Sequence, residues 1–196
     1  RPRAATYVFG GLVGERLAAD LEHWQLVAPQ ANPAMIQMFR DRDRLPRRDL
    51  VPWAGEFVGK YLTAGTLAWR LCRDARLQDQ LQRVVDALIS AQDKDGYLGP
   101  HPREQRFTGA TVDGNLGVRE LWDLWGHYQC MLGLLLWHQE MGDEHALTAC
   151  RRAADCICGR FLDSGENVLA AKAPEKNMAV IHGFCLLYQQ TGEARY

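Results

Sequence analysis

Three short stretches place aromatic rings, carboxylates, an amide and an imidazole immediately ahead of long apolar runs. They are VPWAGEF with Trp53 and Glu56, LWDLWGH with Trp122, Asp123, Trp125 and His127, and PEKNMAVIH with Glu175, Lys176 and Asn177. A ring face beside hydrogen-bonding groups is what a sugar site needs, because a sugar ring has an apolar face to stack and a rim of hydroxyls to bond. Trp53, Glu56, Trp125, His127 and Asn177 are therefore the candidate substrate-binding residues. Most of them also have a structural explanation. The tryptophans could plug the end of a core, Glu56 could be a favourable charge in a first helical turn, and Asn177 suits an N-cap. His127 has the best case for contact with a hydroxyl, because it follows Gly126 inside the densest polar and aromatic group. His182 lies within the third apolar run and reads as a core or wall residue. No catalytic residue and no metal ligand is assigned within the chain.

The elements that must position these residues follow from hydrophobic periodicity. FVGKYLTAGTLAWRLC, from Phe57 to Cys72, is apolar nearly all round, which predicts a helix buried on most sides. The next segment is amphipathic: Leu77, Leu81, Val84, Val85, Leu88 and Ile89 recur at helical spacing against Gln78, Asp79, Gln82, Arg83 and Asp86. The alternation repeats with an apolar helix over 128–137 and an amphipathic one over 146–161, and a third apolar helix is expected over 178–188. The turns RDARL, GDEHAL and GEARY separate the members, with Asp74 and Asp143 as N-caps and Gly142 and Gly192 as left-handed helix ends. Upstream, Glu15 to Val27 is amphipathic, and Asn32 is expected to cap a helix that starts at Pro33.

One buried and one half-exposed helix per hairpin describes two concentric rings, so the expected fold is all-α, a partial (α/α)6 toroid or barrel. A closed ring of about twelve helices needs well over about 300 residues at usual element lengths. Residues 1–196 are accordingly expected to be the N-terminal portion of a single α/α-barrel catalytic domain that continues beyond residue 196. An open inner ring would expose Phe57, Leu67, Leu134, Leu135, Phe184 and Leu187. The long connection from Asp93 to Arg119, with Gly96, Gly99, Gly109, Gly114, Gly117, Pro100 and Pro102, has the length of a functional loop, and its DKDGYLG lacks calcium-loop spacing.

Composition narrows the function classes. With 47% hydrophobic and 24% charged residues and a formal net charge of -1, the chain has a globular composition and no general field for nucleic acid or anionic lipid. The run RDRDRLPRRD mixes acids with bases and reads as a solvated loop. No apolar run approaches the roughly 20 residues that cross a bilayer. Neither nucleic acid nor a membrane is expected as a partner, and the oligomeric state is not assigned. The cytoplasm is slightly favoured as the location, with a secreted or periplasmic site open if a leader was removed. The six cysteines sit in helical apolar patterns and read as reduced core thiols, with Cys156 and Cys158 on different helix faces.

The ordered runs ANPAMIQMFRDRDR, LVPWAGEFVGKYLTA, AQDKDGYLG, WDLWGHYQCMLGLLLWHQEMGD and LLYQQTGEARY resemble the N-terminal part of the glycoside hydrolase family 127 catalytic domain, the β-L-arabinofuranosidase-like proteins. The resemblance extends from about Gly11 and implies an (α/α)6 barrel that hydrolyses terminal L-arabinofuranosides with retention. It also implies a cysteine nucleophile near a zinc ion held by cysteines and a glutamate, with a separate glutamate as acid/base. Those residues belong to later parts of the barrel, so no cofactor is expected in this segment and zinc is expected only for the full-length protein. The family's glycine-histidine pair matches Gly126 and His127, which implies hydroxyl binding by His127. A second family histidine falls on Asn177, a departure that leaves the exact sugar open. None of the six cysteines matches the nucleophile or a zinc ligand.

The expected function is that of a carbohydrate-active hydrolase, with this chain forming one wall of the sugar pocket and inactive alone. The alternatives are another α/α-barrel sugar enzyme, an epimerase or unsaturated uronyl hydrolase, or a non-catalytic helical-repeat binding module.

Overall fold

The computed structural model describes residues 7–109 and 120–196, and among the described residues every regular element is helical. The chain starts with α1 (Gly11–Asp20), which passes through a π-type turn at Leu21–Gln25 into α2 (Ala28–Ala31) and α3 (Ala34–Arg40). Two hairpins follow, α4 (Glu56–Cys72) with α5 (Ala75–Ser90), then α6 (Asp123–Met141) with α7 (Glu144–Phe161). Beyond them lie α8 (Pro174–Asn177) and α9 (Val180–Thr191). Gly114 and Gly117 of the long connection lie outside the described residues.

The apolar and amphipathic helices sort into two layers as their periodicity requires. Helix α6 packs along α4 on one side and against α9 on the other, while α5 lies behind α4 and α7 behind α6. The result is an arc of a double-layered helical ring. Its core is continuous from Met35, Ile36 and Phe39 through Val58 and Leu62 to Met131, Leu134 and Trp137, backed by Leu77, Leu81, Leu88 and Cys150.

Turn chemistry fixes the hairpins. The Asp74 carboxylate accepts from the amides of Arg76 and Leu77, and Asp143 accepts from those of His145 and Ala146, so both outer helices start on side-chain caps. Gly142 and Gly192 end α6 and α9 at φ 71° and 69°. Helix α4 ends on a left-handed residue without a glycine: Arg73 has φ 53° and lays its guanidinium 4.1 Å from the Trp69 ring centre.

Several expectations need correction. Asn32 makes no side-chain cap, because Pro33 itself occupies the N-cap position of α3. Asn177 closes the short α8 instead of capping the third inner helix, which begins at Val180. Phe57 and Leu67 are exposed as expected, but Leu134, Leu135 and Leu187 are buried. Those leucines point to the neighbouring helices and not along the open face. Cys130, Cys150 and Cys158 are buried thiols, whereas Cys72 and Cys185 are exposed and so do not belong to the core.

The register of the inner layer depends on glycine. A Cβ at Gly59 would stand 2.1 Å from the backbone carbon of Gln129, and one at Gly133 would stand 2.8 Å from the Gly59 carbonyl oxygen. Helices α4 and α6 therefore touch backbone to backbone, where neither side can yield. Gly59→Ala is expected to cost about 1–3 kcal/mol or more through overpacking. Gly159→Ala, on α7 with open space around it, should gain up to about 1 kcal/mol from helix propensity. Urea unfolding midpoints of the two variants check both signs, and equal stability would disprove the backbone contact.

Candidate functional site

The three inner-helix entrances meet. The Trp122 amide, just before α6, donates to the Pro52 carbonyl at 2.9 Å, which ties the start of α6 to the turn that leads into α4. The rings of Trp53 and Trp122 then lie 5.5 Å apart at 45°, with the Lys176 ammonium 5.2 Å from the Trp122 ring centre. Trp53 is 36% exposed and forms the outer lip.

Beside this lip runs a chain of hydrogen bonds. The buried Asn177 amide donates to the carbonyls of Leu121, Ala171 and Lys172 at 3.1, 3.1 and 2.7 Å, and its Oδ1 accepts from the Trp125 amide at 3.1 Å. The Trp125 indole N–H donates to Glu56 Oε2, and Glu56 Oε1 pairs with Lys60 Nζ at 2.8 Å. Lys60 also sits 5.6 Å from the Trp125 ring centre. Trp53, Glu56, Trp125 and Asn177 are thus brought together, and every polar atom of Asn177 is committed to the backbone.

His127 belongs to a second layer beneath. It is 0% exposed. Its Nε2 accepts from the Leu98 amide at 2.9 Å, and its Nδ1 stands 2.9 Å from the Asp123 carbonyl oxygen. An amide N–H can only donate, so Nε2 is the acceptor and Nδ1 carries the proton. In this arrangement no ring nitrogen is left for a sugar hydroxyl. The expected contact departs from the geometry because the loop after α5 covers the imidazole.

That covering segment, residues 93–107, lies in the long connection whose length suggests a functional loop, and it acts as a clamp. The Tyr97 hydroxyl donates to Asp123 Oδ1 at 2.8 Å and the Phe107 amide donates to Oδ2 at 2.9 Å, while His127 Nδ1 lies 3.3 Å from Oδ1. Gly99 lets the clamp pass this close, since a Cβ there would meet Tyr97 Oη at 2.4 Å and Asp123 Oδ1 at 2.8 Å. Phe107 holds a left-handed φ of 57°, a conformation that costs a side-chain-bearing residue about 1–2 kcal/mol. Its bond to a buried carboxylate offsets that cost. The rings of Tyr97 and Phe107 flank His127 at 4.7 and 5.1 Å.

Two arginines hold the clamp from outside. Arg106 pairs with Asp93 at 2.7 Å and Asp95 at 3.1 Å, with its guanidinium 4.2 Å from the Tyr97 ring centre. Arg42 donates to the carbonyls of Phe39 at 2.6 Å and Tyr97 at 3.4 Å, and to that of Ala91. Asp93 and Asp95 are consumed by these pairs, consistent with DKDGYLG serving as a turn.

Burial would raise the Asp123 carboxyl, but the hydrogen bond from His127 Nδ1–H, the neighbouring imidazole of His101 and the Phe107 amide outweigh it and bring the pKa down to about 2. Burial, followed by the neighbouring Asp123 charge, pushes the Tyr97 phenol well above its ordinary range, so it remains a donor. Burial also lowers the pKa of His101, whose Nε2 has no hydrogen-bond partner among the described residues.

Among the described residues no three His, Cys, Asp or Glu side chains are grouped to hold a metal ion. The zinc that the family resemblance implies does not fit the described residues, and no chemistry is routed through it. No helix among them is long and apolar enough to cross a membrane.

The fold defines a class, the double-ringed helical barrels. Two solved structures match it over almost the whole chain. One is a GH127 β-L-arabinofuranosidase from Geobacillus stearothermophilus T6, with a TM-score of 0.71 at 18% identity, covering 98% of this chain and 31% of that one. The other is a GH127 β-arabinofuranosidase, with a TM-score of 0.70 at 18% identity, covering 100% of this chain and 32% of that one. The model of the β-L-arabinofuranosidase GH127 catalytic domain matches residues 13–196. The chain belongs to that family. It is also 28% identical over 142 residues to the non-reducing end β-L-arabinofuranosidase of Bifidobacterium longum subsp. longum, a match that covers 71% of this chain and 21% of that protein. The chain thus spans about a fifth of the length of that curated relative.

The clamp makes a pH prediction. Asp123 has a folded pKa below its ordinary value, so it contributes stability that is present above about pH 4 and lost as pH falls towards 2. His101, also depressed, is protonated first in the unfolded chain, so its contribution declines as pH falls below 6.5. Asp123→Asn sets an amide donor against the Tyr97 hydroxyl or the Phe107 amide and should cost about 1–3 kcal/mol at neutral pH. It should also flatten the stability profile between pH 4 and 2. Urea midpoints against pH test this, and a variant as acid-sensitive as the parent would contradict the assignment.

Proposed function

We propose that this chain forms the entrance wall of the sugar cavity in a glycoside hydrolase acting on terminal L-arabinofuranosides or closely related neutral sugars. The nucleophile, the acid/base and any zinc ligands would be supplied by parts of the polypeptide outside these 196 residues. Membership of the GH127 family over residues 13–196 is the observation that carries this reading. The wall's own chemistry supports it. Trp53, Trp122 and Trp125 offer ring faces around one opening, and Glu56 and Asn177 hold Trp125 at both its indole and its amide.

Charge favours a neutral ligand over a uronide. Lys60 is paired with Glu56 and Lys176 with Glu175, each at 2.8 Å, so both ammonium charges at the entrance are already balanced by carboxylates of the protein. In this reading His127 is a positioning residue: its imidazole joins α6 to the clamp and keeps the tryptophans of the lip in place.

The full-length polypeptide is expected to release arabinose from an aryl β-L-arabinofuranoside and to leave unsaturated uronides intact. Trp125→Ala should raise KM several-fold, to about tenfold, for the loss of one stacking face. Steady-state kinetics on both substrate classes provide the check. Turnover of the uronide alone would refute the assignment.

A further inference from the structure

The strip of inner wall beyond Trp125 carries a polar pair that the entrance does not use. Tyr128, on the second turn of α6, and His182, on the first turn of α9, face each other across the helix boundary with Oη and Nδ1 3.1 Å apart. Their ring centres are 5.7 Å apart, and that of Tyr128 is 5.6 Å from that of Trp125. A Cβ at Gly183 would stand 3.4 Å from Tyr128 Cδ2, an ordinary van der Waals contact, so the Tyr128 ring packs over this position. His182 is exposed and Tyr128 half-buried, so the pair lies on the open side of the layer together with Lys60 and Phe57. The sequence pattern places His182 in the core or wall, and its exposure excludes the core.

The chemistry of the pair follows from its hydrogen bond. If the phenol donates to Nδ1, the imidazole Nε2–H remains as a donor and the phenol oxygen as an acceptor. If Nδ1–H donates to the phenol, the roles reverse, leaving the hydroxyl proton as donor and Nε2 as acceptor. In either state one donor and one acceptor stay side by side and available. Among the described residues neither side chain makes another hydrogen bond. Each sugar hydroxyl is likewise a donor and an acceptor, so two adjacent hydroxyls match this pair in both tautomers. A structural role explains the arrangement poorly, since a solvent-exposed hydrogen bond adds little to stability.

We propose that Tyr128 and His182 form a recognition site for two adjacent hydroxyls of a neutral sugar ring that stacks beside them on Trp125. This site rests on the proposed function and extends it from the lip to the interior of the cavity. It makes the pair the determinant of which hydroxyl configuration is accepted. The ring of Trp125 selects for an apolar sugar face, and the pair selects for a diol beside it.

The test uses the full-length polypeptide and an aryl β-L-arabinofuranoside. Tyr128→Phe and His182→Ala are each expected to raise KM roughly tenfold, the equivalent of one lost hydrogen bond. Melting temperatures should change little, because phenylalanine keeps the half-buried Tyr128 ring in place and His182 is exposed. The double variant should lose less than the product of the two single losses, because each residue orients the other. A substrate lacking both of the adjacent hydroxyls should be bound equally by parent and variants, and one lacking a single hydroxyl should show a smaller difference between them. A parent that cleaves the arabinofuranoside while both variants keep its KM overturns the recognition site and leaves the proposed function standing. Variants that melt earlier with KM unchanged assign the pair to the fold and overturn it as well. A parent that cleaves no glycoside overturns the proposed function itself.

Discussion

The backbone contact between α4 and α6 is the constraint from which the entrance follows. With Gly59 and Gly133 facing each other, the two inner helices approach more closely than any side chain allows. That approach sets their register. It brings the Pro52 carbonyl to the Trp122 amide, the Trp53 ring to the Trp122 ring and the Glu56 carboxylate to the Trp125 indole. A helix pair held apart by an alanine would shift these partners by a distance comparable to a hydrogen bond. The aromatic lip is therefore a consequence of two glycines a full turn or more inside the layer.

A second constraint is the satisfaction of one buried charge. Asp123 is 2% exposed, and a carboxylate in that position is tolerated only when its oxygens are bonded. The clamp supplies those bonds from a phenol and a backbone amide, and the imidazole of the next turn adds its own. In doing so it closes over His127, packs Tyr97 and Phe107 against it, and draws in Arg42 and Arg106 to anchor the loop. The two layers of the site have different tasks. The outer layer groups the tryptophans with Glu56 and Asn177, and the inner layer fixes the start of α6 on which they meet.

Much of this was legible in the sequence, and the exceptions share one cause. The place of Trp53, Glu56, Trp125 and Asn177 ahead of apolar helices marks them as a group, which the structure brings together, and the Asp74 and Asp143 caps follow from local turn chemistry, which depends on residues two or three positions away. Asn177 was read as a cap because asparagine before a helix usually is one; its partners, Leu121 and Trp125, are more than fifty positions distant. His127 reads as a hydroxyl contact because it follows Gly126 inside the densest polar and aromatic group, and the Leu98 amide that occupies its Nε2 comes from another loop. Lys60 and Arg70 interrupt the apolar pattern of α4, where Lys60 is the partner of Glu56 and Arg70 that of Glu140.

The sequence by itself determined the helical class, the pairing of buried with half-exposed helices, the turns between them and the gathering of aromatic and polar residues at the inner-helix starts. These depend on periodicity and caps, which act within a few residues of the chain. Only the tertiary structure decided which of those polar groups are spent inside the protein and which face outward. It gave His127 and Asn177 to the framework and Tyr128 and His182 to the open wall. Hydrogen-bond satisfaction is a matter of distances across helices and loops, and no local pattern records it.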